Sequence, residues 1–192
     1  MMYDLILKRR TIRKFLQKKI PKDILKKLVN AARLAPSAAN LQPVEFIAVD
    51  QTDMVKKIFG FTEWAGYIEP EGRPKKGEEP VSFIIFAANK NIASRHYKVD
   101  SGLAAGNLIL AALEEGIGSC IIESCDRAQI AKIINLPRDR EIEFVIALGF
   151  SAEQPVFEEA RRGSIKYYKD DRGILHVPKR PLEEVLRFNG YP

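Results

Sequence analysis

The chain has 192 residues, of which 46% are hydrophobic, so it is long enough for one domain with a buried core. No run of about 18 apolar residues occurs, and the sequence therefore predicts no membrane-spanning helix. The formal net charge of +6 permits nucleic-acid binding, but aromatic side chains are not interleaved with the basic runs as single-strand binding requires. The N-terminus places its charges after a short apolar stretch, the reverse of a signal peptide. We expect a cytoplasmic, single-domain protein over residues 1–192, with no nucleic-acid or membrane partner.

The chain carries few residues that bind metals or form disulfides. Cys120 and Cys125 are too few for a disulfide framework, and His96 and His176 do not complete a zinc-binding set with them. We therefore predict no metal site and interpret both cysteines as reduced, buried, small hydrophobic residues.

The first third of the chain reads as helix, helix, strand, helix. Residues 3–8 are expected to form a short helix, and a second helix starts near Pro21 and ends at Pro36, with apolar residues at 3.6-residue spacing between them. Residues 44–49 (VEFIAV) read as a buried strand. Thr52 is expected to cap a helix that runs to Phe59.

Residues 60–80 contain Gly and Pro at positions that break any regular pattern, with Trp64 and Tyr67 among them. Long loops that hold aromatic residues in small domains often close over binding sites. We interpret the segment as a lid in which Trp64 and Tyr67 face an acceptor. Two alternatives stay open: a surface loop without a role, and a core position for Trp64.

A second strand is expected at residues 81–88, followed by a helix over residues 102–113 that Asp100 or Ser101 caps. This helix (GLAAGNLILAAL) is apolar almost all round, so it must be buried on every side. In a chain of this size that favours a subunit contact, with Gly102 and Gly106 permitting close approach. An ordinary central helix is the alternative.

Residues 116–123 (GIGSCIIE) form a glycine-rich turn that runs into a strand. It is not a dinucleotide fingerprint, because Ile121 stands at the third glycine position and no helix follows. Asp126 and Gln129 resemble a capping box for a helix that ends near residue 135, and residues 141–149 read as a third clear strand. Beyond Pro155 the pattern is polar, and a last helix is expected at residues 182–188.

Two segments combine into a candidate cofactor site. Residues 9–13 (RRTIR) place three guanidinium groups and a hydroxyl together, a set that suits a phosphate. Residues 36–43 (PSAANLQP) offer small and amide side chains to a flat polar heterocycle. With no nucleophile motif elsewhere, a cofactor that carries the chemistry is indicated, and FMN fits this inventory. A solvated basic patch is the alternative for residues 9–13.

The sequence resembles the FMN-dependent nitroreductase family over nearly its whole length. Four stretches carry the resemblance, in this order: RRTIRKF at residues 9–15, APSAANLQP at 35–43, GNLILAA at 106–112 leading into GIGSCIIE at 116–123, and KRPLEEV at 179–185. The resemblance implies an α+β fold with a central, mostly antiparallel sheet wrapped by helices. It also implies an interlocked homodimer with FMN at the interface and a C-terminal arm at about residues 155–192.

The resemblance further implies roles for individual residues. Arg9, Arg10 and Thr11 match the phosphate-binding segment, and Lys179 and Arg180 match a basic pair that closes on the same phosphate. Arg13 matches the basic residue near flavin N1/O2. The segment that the partner subunit lays against the flavin corresponds to Pro36, Ser37, Ala38, Asn40 and Gln42. The strand end that reaches flavin N5 corresponds to Ile122, Glu123 and Ser124. Two positions depart from the family pattern: Ala38 replaces a hydroxyl residue, and Ser124 replaces a frequent glycine.

The implied reaction is a ping-pong transfer of hydride from NAD(P)H through FMN N5 to a small oxidised acceptor such as a nitroaromatic, a quinone or a flavin. No side chain is assigned a catalytic role, because flavin N5 is the reactive centre. Two alternatives stay open. One keeps the fold and the flavin but changes the reaction to flavin fragmentation, dehalogenation or dehydrogenation. The other is a basic binding module without redox activity.

Overall fold

The computed structural model describes residues 1–160 and 164–191. The helices are α1 Met2–Lys8, α2 Lys22–Arg33, α3 Thr52–Gly60, α4 Tyr97–Glu114, α5 Arg127–Ile133 and α6 Leu182–Val185. The strands are β1 Phe15–Leu16, β2 Val44–Val49, β3 Ser82–Asn89, β4 Ile117–Ile122, β5 Arg140–Ser151, β6 Val156–Glu159, β7 Tyr168–Lys169 and β8 Leu175–Lys179. Across the described ranges, no helix has both the length and the apolarity needed to cross a bilayer.

The main sheet contains four long antiparallel strands in the order β4, β5, β3, β2, and the short β1 pairs with the end of β5. This arrangement, covered by helices, confirms the predicted α+β fold. β3 lies between β2 and β5 in the middle of the sheet, and its residues from Ser82 to Ala88 are all buried. That position explains why the strand reads as a continuous apolar run rather than an alternating one.

Each face of the main sheet has its own hydrophobic core. On one face α2 and α4 pack against the sheet, with Leu28, Leu108 and Ile146 fully buried. On the other face lie α3, α5 and the segment that follows α1, which contributes Ile12 and Phe15. The N-terminal segment is therefore part of the second core rather than a free terminus.

Two glycines let the N-terminal segment approach the sheet. Gly118 of β4 and Gly149 of β5 are register partners. A Cβ atom at Gly118 would lie 2.8 Å from the side chain of Ile12, and one at Gly149 would lie 2.8 Å from that of Phe15. The absence of both side chains thus creates the space that Ile12 and Phe15 occupy.

Helix α4 differs from its prediction in two ways. It begins at Tyr97, with His96 as the N-cap residue, so Asp100 and Ser101 are the fourth and fifth residues of the helix, and both are buried. Neither caps the helix: Asp100 Oδ1 accepts a hydrogen bond from the Ala38 N–H at 3.0 Å, and the Ser101 hydroxyl donates to the Tyr97 carbonyl at 2.9 Å. The predicted cap was therefore wrong, because both side chains serve other contacts.

The prediction that α4 is buried on every side is also wrong for the single chain. Leu108 is fully buried, but Val99 is 61% exposed and Leu103 is 45% exposed. Together with Gly102 and Gly106, they form an apolar, open stripe on the helix. Smaller differences affect two other helices: Gln51 rather than Thr52 is the N-cap residue of α3, and α6 ends at Val185.

A second, small sheet follows the main one. In this accessory sheet (β6, β8 and β7), β6 runs parallel to β8, and β7 runs antiparallel to it. The sequence indicated only a polar stretch here, because the strands are two to five residues long and rich in charged side chains. The predicted C-terminal arm therefore contains regular structure within its described part.

Candidate functional site

Residues 9–13 run along the edge of β4. Thr11 forms a parallel bridge with Ser119, and the Ile12 N–H donates to the Ser119 carbonyl at 2.9 Å. This register places Arg9 toward the start of β4 and Arg13 toward its end. The three guanidinium groups predicted to bind a cofactor are thus distributed along a strand rather than clustered at one point.

The start of β4 forms a basic cavity of about 700 Å³. Lys8, Arg9 and Arg10 line it together with residues 116–119 and the last two turns of α4, and among its described lining residues only Glu153 carries a carboxylate. Burial, followed by the charge of neighbouring Arg9, lowers the pKa of Arg10 from its ordinary value, although a guanidinium stays charged at neutral pH. This cavity therefore suits an anion, as residues 9–13 predicted.

Glu153 fixes the middle of this basic segment. Its Oε1 accepts hydrogen bonds from the N–H groups of Arg13 at 2.5 Å and Lys14 at 3.2 Å. Each of these bonds joins residues about 140 positions apart in the chain. Sequence reasoning missed Glu153, because no local pattern marks a partner at that distance.

Arg13 supplies a positive charge between the two ends of β4. Its Nε is buried and has no hydrogen-bond partner within the described chain, and its guanidinium lies 5.0 Å from the ring centre of Tyr167. A buried donor without a partner indicates that an acceptor is missing from the site. The nearby Cys120 thiol has its pKa raised to about 11 by burial, against the opposing charge of Arg13, so it is a neutral thiol at neutral pH.

The far end of β4 meets the predicted lid. Ile122 is buried, whereas Glu123 and Ser124 are exposed, and the Ser124 carbonyl accepts a hydrogen bond from the Glu63 N–H at 2.9 Å. Ser124 also lines a second cavity of about 730 Å³ beside the base of the lid. The six residues of β4 span about 20 Å between the two cavities. We call the surface along β4 between these two cavities the groove. Its basic end is the first cavity, and its other end is the second cavity, which residues 60–63, Arg73 and residues 124–126 line.

Residues 36–42 lie elsewhere in the chain. The segment precedes β2, which is separated from β4 by three strand spacings, about 14 Å. Left-handed backbone conformations occur at Ala39, Asn40 and Gln42. The buried Asp100 holds this segment through the Ala38 N–H, and the Ser37 hydroxyl accepts from the Gln42 N–H at 3.0 Å. The segment is thus well anchored, but it does not line the groove of its own chain.

The predicted C-terminal basic pair lies near the basic cavity without lining it. Lys179 on β8 is the register partner of Glu159 on β6. Glu159 lies two residues beyond Phe157, whose ring centre lies 5.2 Å from the Arg10 guanidinium. The Arg180 Nε instead donates a hydrogen bond to Glu184 Oε2 at 3.2 Å.

The two aromatic residues predicted for the lid have different environments. Trp64 is only 4% exposed, packs in the core and donates from Nε1 to the Thr62 hydroxyl at 2.9 Å. The prediction that it presents an open aromatic surface was wrong, and the core alternative holds, because the indole fills the space beside α3. Tyr67 is 59% exposed, as a lid residue requires.

The geometry agrees with one protein family. Residues 6–150 match the model of the nitroreductase family. The chain belongs to this family. The predicted resemblance is confirmed over the three stretches inside this range, whereas the fourth, at residues 179–185, lies beyond it. The nitroreductase match ends within β5, so the accessory sheet lies outside it.

Similar proteins include enzymes with different activities. An iodotyrosine deiodinase from Thermotoga neapolitana is 28% identical over 167 residues, which cover 78% of this chain and 88% of that protein. An NADH dehydrogenase from Thermus thermophilus is 26% identical, over 77% of this chain and 85% of that protein. The solved structure of an FMN-dependent nitroreductase from Clostridium difficile has a TM-score of 0.68 at 25% identity, and covers 97% of this chain and 98% of that one.

Proposed function

We propose that this protein is an FMN-dependent NAD(P)H oxidoreductase of the nitroreductase family that reduces a small oxidised acceptor such as a nitroaromatic, a quinone or a flavin. The observation that carries the proposal is the groove along β4, which has a basic cavity at one end and, at the other, a cavity that Ser124 lines. Membership of the family and the FMN-dependent structural neighbour support it.

The residues of the groove fit FMN in charge and order. Arg9, Arg10 and Thr11 stand where a terminal phosphate needs charge-assisted hydrogen bonds. Arg13, with its unpaired buried Nε, offers a donor and a positive charge to the N1/O2 edge of the ring. Residues 122–124 end a strand beside the lid, where their backbone groups can hold the N5 edge.

FMN, when bound, supplies the chemistry of accepting hydride from NAD(P)H and passing electrons to an acceptor. The protein groups bind and orient. Arg13 favours negative charge on the ring, Glu153 keeps the Arg13 backbone in place, and the neutral Cys120 thiol stays inert. Solvent can supply the protons, because both cavities are open to it.

We further propose a cytoplasmic homodimer in which residues 36–42 reach the groove of the partner copy. Within one chain they line neither cavity and precede β2, a strand about 14 Å from β4, so a second copy would bring them to a flavin there. The open stripe of α4 supports such a contact, because Val99 and Leu103 are exposed and a Cβ atom at Gly106 meets nothing within 4 Å. Light scattering of the flavin-loaded protein tests the dimer, and a monomer would remove the role of Asn40 at the flavin.

Reductive dehalogenation is a second candidate on the same cofactor, because one relative is an iodotyrosine deiodinase. A panel of halogenated tyrosines, nitroaromatics and quinones separates the two candidates by relative kcat/KM. Preferred turnover of the halogenated substrates would replace the proposed acceptor class without changing the fold or the flavin.

Titration of FMN into the apoprotein tests the cofactor. Arg9→Ala is expected to weaken binding on the order of 10- to 100-fold, because it removes a charge-assisted hydrogen bond of about 1.5–3 kcal/mol. Arg180→Ala tests the C-terminal pair in the same way. Riboflavin, which lacks the phosphate, should bind far more weakly than FMN.

The exposed Arg138, remote from the groove in sequence and outside both cavities, provides the matched control, and Arg138→Ala should leave affinity unchanged. Equal affinity for riboflavin and FMN would overturn the assignment of the basic cavity to a phosphate.

A further inference from the structure

The accessory sheet touches the groove although it lies beyond residues 6–150, the range that matches the family model. Phe157 of β6 packs against Arg10 at the basic end. Tyr167, immediately before β7, packs against Arg13 in the middle of the groove. Because the sheet contacts two arginines of the groove, we infer that it forms part of the wall of the site.

The same sheet also contacts the lid. The Lys169 Nζ donates to the carbonyl of Glu71 at 2.9 Å. The rings of Tyr167 and Tyr67 lie 4.9 Å apart at 50°, and the Tyr67 N–H is 3.5 Å from the Tyr167 hydroxyl. Tyr167 therefore touches Arg13 with one part of its ring and the lid residue Tyr67 with another.

We propose that Tyr167 is a specificity-determining residue, which forms with Tyr67 an aromatic wall that selects flat aromatic acceptors. The inference rests on the proposed function and names the acceptor class for the same site. Tyrosine rings offer planar, weakly polar surface on which an aromatic acceptor packs in an offset or tilted arrangement. The ring also holds the Arg13 guanidinium in place by a cation–π contact.

The neighbouring Tyr168 has the same side chain but a different environment. Its ring stacks on His176 at 4.9 Å and 12°, and its hydroxyl lies 3.1 Å from Glu158 Oε1. These described contacts of Tyr168 lie within the accessory sheet. Tyr168→Ala is therefore a matched control of the same size, in the same segment.

Steady-state kinetics with two acceptors tests the proposal. Menadione is a flat quinone, and ferricyanide is a compact complex that accepts electrons without stacking. With saturating NADH, Tyr167→Ala is expected to lower kcat/KM for menadione on the order of tenfold, the size of effect that loss of one ring contact and one cation–π contact gives. The value for ferricyanide should fall by a clearly smaller factor, because, of the two lost contacts, only the one with Arg13 bears on it. Tyr167→Phe, which keeps the ring, and Tyr168→Ala should both behave like wild type.

A second variant covers the case in which Tyr167→Ala folds poorly. Tyr67→Ala removes the other half of the wall and should give the same selective loss. Because the two rings act as one surface, the double variant should lose little more than either single one.

The outcomes separate this inference from the proposed function. If the wild-type protein binds no FMN and reduces neither acceptor, the proposed function fails, and the inference fails with it. If wild type reduces both acceptors but the tyrosine variants alter both equally or neither, the proposed function stands and the aromatic wall is overturned.

Discussion

The main sheet and the accessory sheet are held together by different forces. In the main sheet, β3 is buried from Ser82 to Ala88, and apolar cores cover both faces. In the accessory sheet Phe157 is 51% exposed and Tyr168 is 43% exposed. Apart from the buried Leu175, its described side-chain contacts are mainly polar, cation–π or between rings, with His176 between the carboxylates of Glu158 and Asp170.

The difference bears on how the site is built. Hydrophobic burial is not directional and gives a rigid frame, so β4 and the segment beside it can present cofactor ligands at fixed positions. Polar contacts near the surface contribute less and respond to pH and salt. Tyr167, which we propose to select the acceptor, thus belongs to the less rigid accessory sheet region and contacts Arg13 beside the rigid main sheet.

The largest expected effect compares a phenylalanine from each sheet. Phe86→Ala should lower the free energy of unfolding by about 3–5 kcal/mol, because Phe86 is fully buried and packs 4.7 Å from Phe144. Phe157→Ala should cost about 1 kcal/mol or less, since it removes mainly a half-exposed cation–π contact with Arg10. Urea unfolding of both variants measures the contrast. Similar losses would show that the accessory sheet shares the stability of the main core.

An intermediate effect is expected from the two glycines beneath the N-terminal segment. Gly118→Ala and Gly149→Ala introduce the same overlap, 2.8 Å from Ile12 and from Phe15 respectively, and each should cost about 1–3 kcal/mol of stability. Only Gly118→Ala pushes the cofactor-binding segment off β4 directly, so its FMN affinity should fall further. Parallel unfolding and FMN titrations measure both quantities. An equal fall in affinity would mean that the segment is not positioned by its contact with Gly118.

The smallest expected effect is a pH dependence of the accessory sheet. The hydrogen bond to Glu158, followed by that to Asp170, raises the pKa of His176 above its ordinary value. Since the pKa of His176 is raised in the folded protein, its contribution to the stability of the fold is complete below the ordinary pKa of 6.5. That contribution is lost as the pH rises through the raised value. Hydrogen bonds, chiefly from the Ile174 N–H, lower the pKa of Asp170, so its contribution is lost only as the pH falls through that lowered value.

The sheet should therefore be most ordered between these two pKa values. Tyrosine fluorescence or proton chemical shifts of Tyr168, followed from pH 5 to 9, report the upper transition. His176→Gln should abolish that transition, whereas His96→Gln, which changes the other histidine, should keep it. A transition that persists without His176 would contradict the assignment.

Much of the main sheet follows from local pattern. Residues 44–49 and 81–88 are continuous apolar runs, and Pro21 and Pro36 mark the ends of a periodic segment, so β2, β3 and α2 are predictable within a residue or two. Residues 9–13 predict an anion site from side-chain chemistry alone, and the structure places them along a basic cavity. These features depend on neighbours in the sequence, and periodicity reports such neighbours directly.

Only the tertiary structure decided how distant groups meet. Glu153 accepts a hydrogen bond from the Arg13 N–H, 140 positions earlier in the chain. Asp100 accepts one from the Ala38 N–H instead of capping its own helix, and Trp64 packs in the core instead of forming an open surface of the lid. Nothing in the pair Tyr167 and Tyr168 tells which ring faces the groove. Such contacts depend on how whole layers pack and on how long loops close. A short stretch of sequence therefore does not contain the information that predicts them.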